Sequence, residues 1–196
     1  MTHFDPYDDD AHRKEAQQLA HADRTRHRLN MLLARRPAAF DAPGQLHPEV
    51  QQWIDEYRTG ARGSLILIGT IGAGKSWHLW KTAETLVRAG WPGRFEIAAA
   101  YEIKEATDRP VNTALLRSWR GADLLAIDDL GAQRVNDWDA DALAALVDAR
   151  WQHKRPTLIA SNEPDIKVIV GARAASRLTD NATLVRFTGP DRRRNP

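Results

Sequence analysis

Eight consecutive residues, Gly69, Thr70, Ile71, Gly72, Ala73, Gly74, Lys75 and Ser76, fit the spacing G-x-x-x-x-G-K-[ST]. Each type has a chemical reason to be there. The glycines let the backbone turn tightly and aim its N–H groups at anionic phosphate oxygens. Lys75 is a compact cation that reaches β- and γ-phosphates, and the Ser76 hydroxyl is a ligand for Mg²⁺. A helix that starts at this loop adds its partial positive N-terminal charge. The predicted ligand is a nucleotide, with Trp77 directly after the loop counted among its contacts. A dinucleotide fingerprint, G-x-G-x-x-G, is a poor rival because it lacks the Lys-Ser ending.

Two further polar clusters stand at the ends of apolar runs. Leu124-Leu-Ala-Ile127 leads into Asp128, Asp129, Leu130 and Gly131. In open α/β sheets, ligands bind at the carboxyl ends of strands. Asp128 is therefore expected beside Ser76 as a Mg²⁺ ligand, with Asp129 polarising the water that attacks the γ-phosphate. Thr157-Leu-Ile-Ala160 leads into Ser161 and Asn162. An amide at that position orients the attacking water or touches the γ-phosphate.

The elements that must carry these groups are legible as alternating patterns. Residues Ala11 to Ala34 read as a polar helix with a thin apolar face, and 36–44 as a linker punctuated by two Pro and a Gly. Pro48 opens a helix with Val50, Trp53, Ile54 and Tyr57 on one stripe. Strands are predicted at Ser64–Ile68, Phe95–Tyr101, Ala122–Ile127, Thr157–Ala160 and Thr183–Phe187. Helices are predicted at Trp77–Ala89 and Asp139–Gln152. Strands alternating with helices imply an α/β layered fold with a mainly parallel sheet.

Composition narrows the class. The chain has 196 residues, 42% of them hydrophobic and 28% charged, which suits one globular domain. It contains no cysteine, which excludes disulfides, thiolate metal sites and a cysteine nucleophile. No apolar run approaches the ~20 residues that span a bilayer. The start is acidic and polar rather than signal-like. A cytoplasmic protein without a membrane partner is expected. The formal charge is only +2, yet residues 171–196 hold six Arg against two Asp. That basic end is suited to meeting phosphates.

The phosphate loop, Ile127-Asp-Asp-Leu-Gly131, Pro156-Thr-Leu-Ile-Ala-Ser-Asn162 and Ser176-Arg-Leu178 follow one another in an order that resembles the AAA+ ATPases of the DnaC-type helicase loader and IstB-type transposition helper family. The resemblance covers Leu65 to Arg193. It implies a three-layer P-loop core with a five-stranded sheet, residues 46–196, preceded by a partner-docking helical extension, residues 1–45. Asn162 then looks like the sensor 1 residue, and Arg177 like an arginine finger offered to a neighbouring subunit. Arg193, in Gly189-Pro-Asp-Arg-Arg193, looks like a second, cis-acting phosphate sensor. The implied activity is ATP hydrolysis with Mg²⁺, stimulated by DNA or a partner. The implied partners are a replicative DNA helicase, single-stranded DNA and further copies of the chain.

The transposition helper is the alternative, with a transposase as partner. A P-loop small-molecule kinase and a non-catalytic nucleotide-gated adaptor are more distant readings. Three features depart from the family pattern. The amino-terminal region is short, the sequence closes without a helical lid, and only Glu102 to Gly121 separate the second and third strands. Within that spacer Lys104, Arg109, Arg117 and Arg120, with Trp119, are candidate DNA contacts.

Overall fold

The computed structural model describes residues 6–131, 137–189 and 191; of the side chains, those of residues 6–9, 11 and 137–139 are not described. Five strands, β1 (Leu65–Gly69), β2 (Phe95–Ala99), β3 (Leu124–Leu130), β4 (Thr157–Ser161) and β5 (Thr183–Phe187), form one sheet in the order β2-β3-β4-β1-β5. Every neighbouring pair is parallel. Parallel strands covered on both faces read as continuous apolar runs, and β1 and β4 do so.

Helices cover both faces. On one side, α2 (Pro48–Arg58) and α3 (Lys75–Arg88) pack Val50, Trp53, Ile54, Leu79 and Leu86 against Leu65, Leu67, Leu124, Ala126 and Leu158. On the other, α4 (Ala100–Thr107), α5 (Thr113–Gly121), α6 (Asp137–Gln152) and α7 (Lys167–Leu178) bury Ile103, Trp119, Leu146 and Ile169 against Ile66, Leu125, Ile127 and Ile159. Alternate strand residues thus feed opposite cores, as the pleat requires.

The long helix α1 (Pro6–Arg35) is held along its second half. Arg28 donates to the carbonyls of Trp91 and Gly93. Arg35 pairs with Glu96 at 2.9 Å, and Arg36 with Glu84 at 2.8 Å and with Asp41. Residues 12–20 of α1 are exposed on every side. A single 3₁₀ turn, Ala38–Phe40, follows it.

The buried Arg150 ties the far end of the sheet together. Its guanidinium donates to Trp119 O (2.7 Å), Ala122 O (2.8 Å), Pro156 O (2.6 Å) and Thr157 Oγ1 (3.1 Å). One side chain thereby fixes the end of α5 and the starts of β3 and β4.

Four features differ from the sequence expectations. Ala100 and Tyr101 belong to α4, not to β2, because Glu102 accepts the Ala99 N–H at 2.6 Å and caps a helix there. The third strand starts at Leu124 and runs on through both aspartates. The spacer before it holds two short helices. Helix α7 has no counterpart among the predicted elements, since Gly171 (φ 76°, ψ 162°) interrupts its periodicity.

Candidate nucleotide-binding site

The phosphate loop joins β1 to α3 at the carboxyl end of the sheet. Gly74 caps α3 with φ 95°, a left-handed conformation that glycine adopts without strain. Gly72 sits at φ 77°, where a side chain would be strained, and a Cβ there would also have to displace the Asp191 carboxylate. The Thr70 hydroxyl reaches Gly189 O at 3.4 Å, linking the loop to the segment after β5.

Strand order gathers the polar groups. Because β4 lies between β1 and β3, its end falls between the loop and the aspartates. Lys75 Nζ donates to Gly69 O (2.8 Å), Thr70 O (2.8 Å) and Asn162 Oδ1 (2.7 Å). The Ser76 hydroxyl donates to Asp128 Oδ1 at 2.9 Å. Burial pushes the Asp128 carboxyl above the usual carboxylate range, the Ser76 bond opposes the rise, and neighbouring Asp129 adds to it.

A β-bulge explains how two successive residues both stand beside the loop, Asp128 against Ser76 and Asp129 at the cleft. Ile127 pairs with Ile159 but Leu130 with Ser161, so β3 carries one extra residue. Strict alternation would turn one of the two aspartates away. Instead Asp129 sits at φ 53°, donates its N–H to Asp128 Oδ1 at 2.9 Å, and lines the cleft. Left-handed backbone in a non-glycine residue stores about 1–3 kcal/mol and is held here by the surrounding sheet.

The cleft has a volume of about 720 Å³. Ile71, Gly72, Gly74, Lys75, Ser76, Trp77, Asp129 and Asn162 line one part, while Phe40, Ala42, Pro43 and Gly44 of the linker form a second wall that adjoins Trp77. The Trp77 indole N–H donates to Ala42 O at 2.8 Å and holds that wall in place. Buried His78 accepts the His47 N–H at Nε2 (3.1 Å), which leaves Nδ1 to donate to Gly74 O (2.8 Å). This apolar wall beside a phosphate loop is suited to a nucleobase. Nothing in the linker's sequence pattern pointed to a functional part.

Arg177 lies elsewhere. It ends α7 just before β5 begins, at the opposite end of the sheet from Lys75. Its guanidinium pairs with Asp148 and stacks 5.0 Å over Trp151. Arg193 falls outside the described residues. The spacer cations also separate. Lys104 is on α4, after the carboxyl end of β2, whereas Arg120 ends α5 and its carbonyl accepts from Arg155 at the start of β4.

A sequence profile described as "IstB-like ATP binding protein" matches residues 52–167, more than half of the chain. The chain belongs to this family. Its match holds the whole phosphate loop, both aspartates and Asn162. The replicative helicase loader DnaC of Escherichia coli K12 is 29% identical over 147 residues, 70% of this chain and 59% of the relative. The chain therefore matches under two thirds of that relative's length.

Solved structures agree on the AAA+ P-loop fold. A crystal structure of DnaI superposes with a TM-score of 0.65 at 21% identity, covering 81% of this chain and 94% of that one. The replication initiator DnaA bound to AMPPCP and single-stranded DNA gives 0.61 at 16% identity, covering 76% and 48%. Among the described residues, no helix is long and apolar enough to cross a membrane.

Proposed function

We propose that this family member is an ATP-hydrolysing helicase loader, acting on a replicative DNA helicase and single-stranded DNA. The observation that carries the hydrolytic part is the joined set Lys75, Ser76, Asp128, Asp129 and Asn162 around one cleft. In this reading Lys75 neutralises β- and γ-phosphate charge. Ser76 and Asp128 suit Mg²⁺, being hard oxygen donors in contact at the mouth of a phosphate loop. The ion would supply charge neutralisation across the phosphates. Asp129 takes up a proton from the attacking water, and Asn162 orients that water.

Arg177 is a trans finger in the same reading. It is too far round the sheet to serve its own Lys75, so phosphate contact requires a second copy. An arginine supplied across an interface makes turnover depend on assembly. The exposed half of α1 is the partner-docking element.

The DnaC relationship favours the helicase as partner. The family description favours a second reading, in which the same chemistry serves a transposase on duplex DNA. A pulldown with the cognate replicative helicase, in ATP and in ADP, tests the first. Capture with ATP and release with ADP is expected. ATP turnover without helicase capture in either state overturns it, and transposase capture instead selects the second reading.

A further inference from the structure

The end of the sheet opposite the nucleotide cleft carries a second charged surface. Two adjoining clefts of about 420 and 570 Å³ lie over the amino ends of the strands. They share three residues, Arg62, Lys154 and Arg155, which stand between them. Among the described residues none of the three is in an ion pair. Arg62 donates to Ala61 O at 2.8 Å and lies over the Tyr57 ring, and Arg155 donates to Arg120 O at 2.9 Å. The acidic groups facing the clefts are engaged: Asp123 accepts the Arg94 N–H at 2.7 Å, and Asp180 the Trp151 indole N–H at 2.9 Å.

Two further observations point to an anion. Fully buried Arg150 sits behind this surface, hydrogen-bonded to four neutral oxygens and to no carboxylate among the described residues. With only neutral oxygens bonded to it and the Asp123 carboxylate acting on it from the cleft wall, this buried cation adds to the positive field at the Pro156 floor. Lys154 has φ 51°, closing α6 in the left-handed position where glycine is usual. The chain keeps a cation where a glycine would be more stable.

We propose that this edge binds the phosphodiester backbone of nucleic acid, with Arg62, Lys154 and Arg155 as its phosphate contacts. The three cations are strung between two open clefts rather than closed around one, which suits a repeating polyanion better than a single phosphate. The inference rests on the reading above that the chain works on DNA, and adds a surface away from the nucleotide cleft.

The test uses the full chain, ATP and a fluorescent single-stranded oligonucleotide, read by anisotropy across a salt titration. In the triple variant Arg62→Gln, Lys154→Gly, Arg155→Gln, the slope of log K against log salt should fall by about 2, near 0.7 for each phosphate no longer neutralised. ATP affinity should stay at the parent value. Lys154→Gly alone should raise Tm while weakening oligonucleotide binding, which separates the effect from misfolding. A parent that binds with an unchanged slope in the triple variant overturns this inference alone. A parent that binds no oligonucleotide overturns the DNA reading as well. Displacement of the strand by inorganic phosphate at matched ionic strength overturns it in favour of a small-anion site. Lost self-association with unchanged DNA binding overturns it in favour of a second copy.

Discussion

The ammonium of Lys75 lies 2.7 Å from the side-chain oxygen of Asn162, joining the loop after β1 to the end of β4. The two residues are 87 apart in sequence, yet one hydrogen bond links the glycine-rich loop to the polar end of β4. Their variants should separate. Lys75→Ala removes charge-assisted bonds of about 1.5–3 kcal/mol and should weaken ATP binding roughly 10- to 150-fold. Asn162→Ala should keep ATP affinity near the parent value and lower kcat. Titration with a fluorescent ATP analogue, beside steady-state turnover, reads both. Unchanged affinity in Lys75→Ala would sink the site.

Asp129 offers a trade between stability and activity. Its φ of 53° suits glycine, so Asp129→Gly should gain about 1 kcal/mol. For a chain of this size that is a Tm rise of about 2–4 °C. The same change removes the proposed base, so phosphate release should collapse while ATP still binds. A variant that is both more stable and fully active would move the base elsewhere.

Mixing experiments address Arg177. Lys75→Ala and Arg177→Ala should each be inactive alone. Combined, they form some interfaces with one intact cleft and one intact finger, and turnover should return in part. No recovery at any mixing ratio would refute a finger acting between copies.

Glu84 gives the fold an acid limit. It is buried on α3 and accepts from Arg36 (2.8 Å), Arg88 (2.8 Å) and Lys81 (3.1 Å). Burial alone would raise its carboxyl, but the bonds from Arg88 and Lys81 outweigh this and hold it below the usual range. The unfolded chain therefore takes up the proton first, at about pH 4.3. The contribution is fully present above that pH and is lost as the pH falls through the lower folded value. Urea midpoints between pH 7 and 3 should show a steep acid limb that Glu84→Gln flattens.

The strands and the phosphate loop were legible because each is a local pattern: an apolar run, a glycine spacing, a turn. The bulge at Asp128 and Asp129 was not, since it depends on how β3 registers against β4. The sequence suggested carboxylates beyond a strand's end, whereas they lie inside it. Short α4 and α5 escaped notice because neither spans enough turns to show a period. The linker at 36–44 gave a turn signal and nothing more. Its role as a wall follows from long-range contacts, above all the Trp77 indole reaching Ala42. An indole N–H in need of a partner was the one hint available.

Helix α1 has 30 residues, about 45 Å at 1.5 Å each, and its grip on the body begins only past its middle. Mechanically it is a cantilever whose clamp is Arg28, Arg35 and Arg36. Arg36 also holds Asp41, which adjoins the wall of the cleft at Phe40 and Ala42. A load on the exposed residues 12–20 would thus be delivered as torque to the linker wall of the cleft.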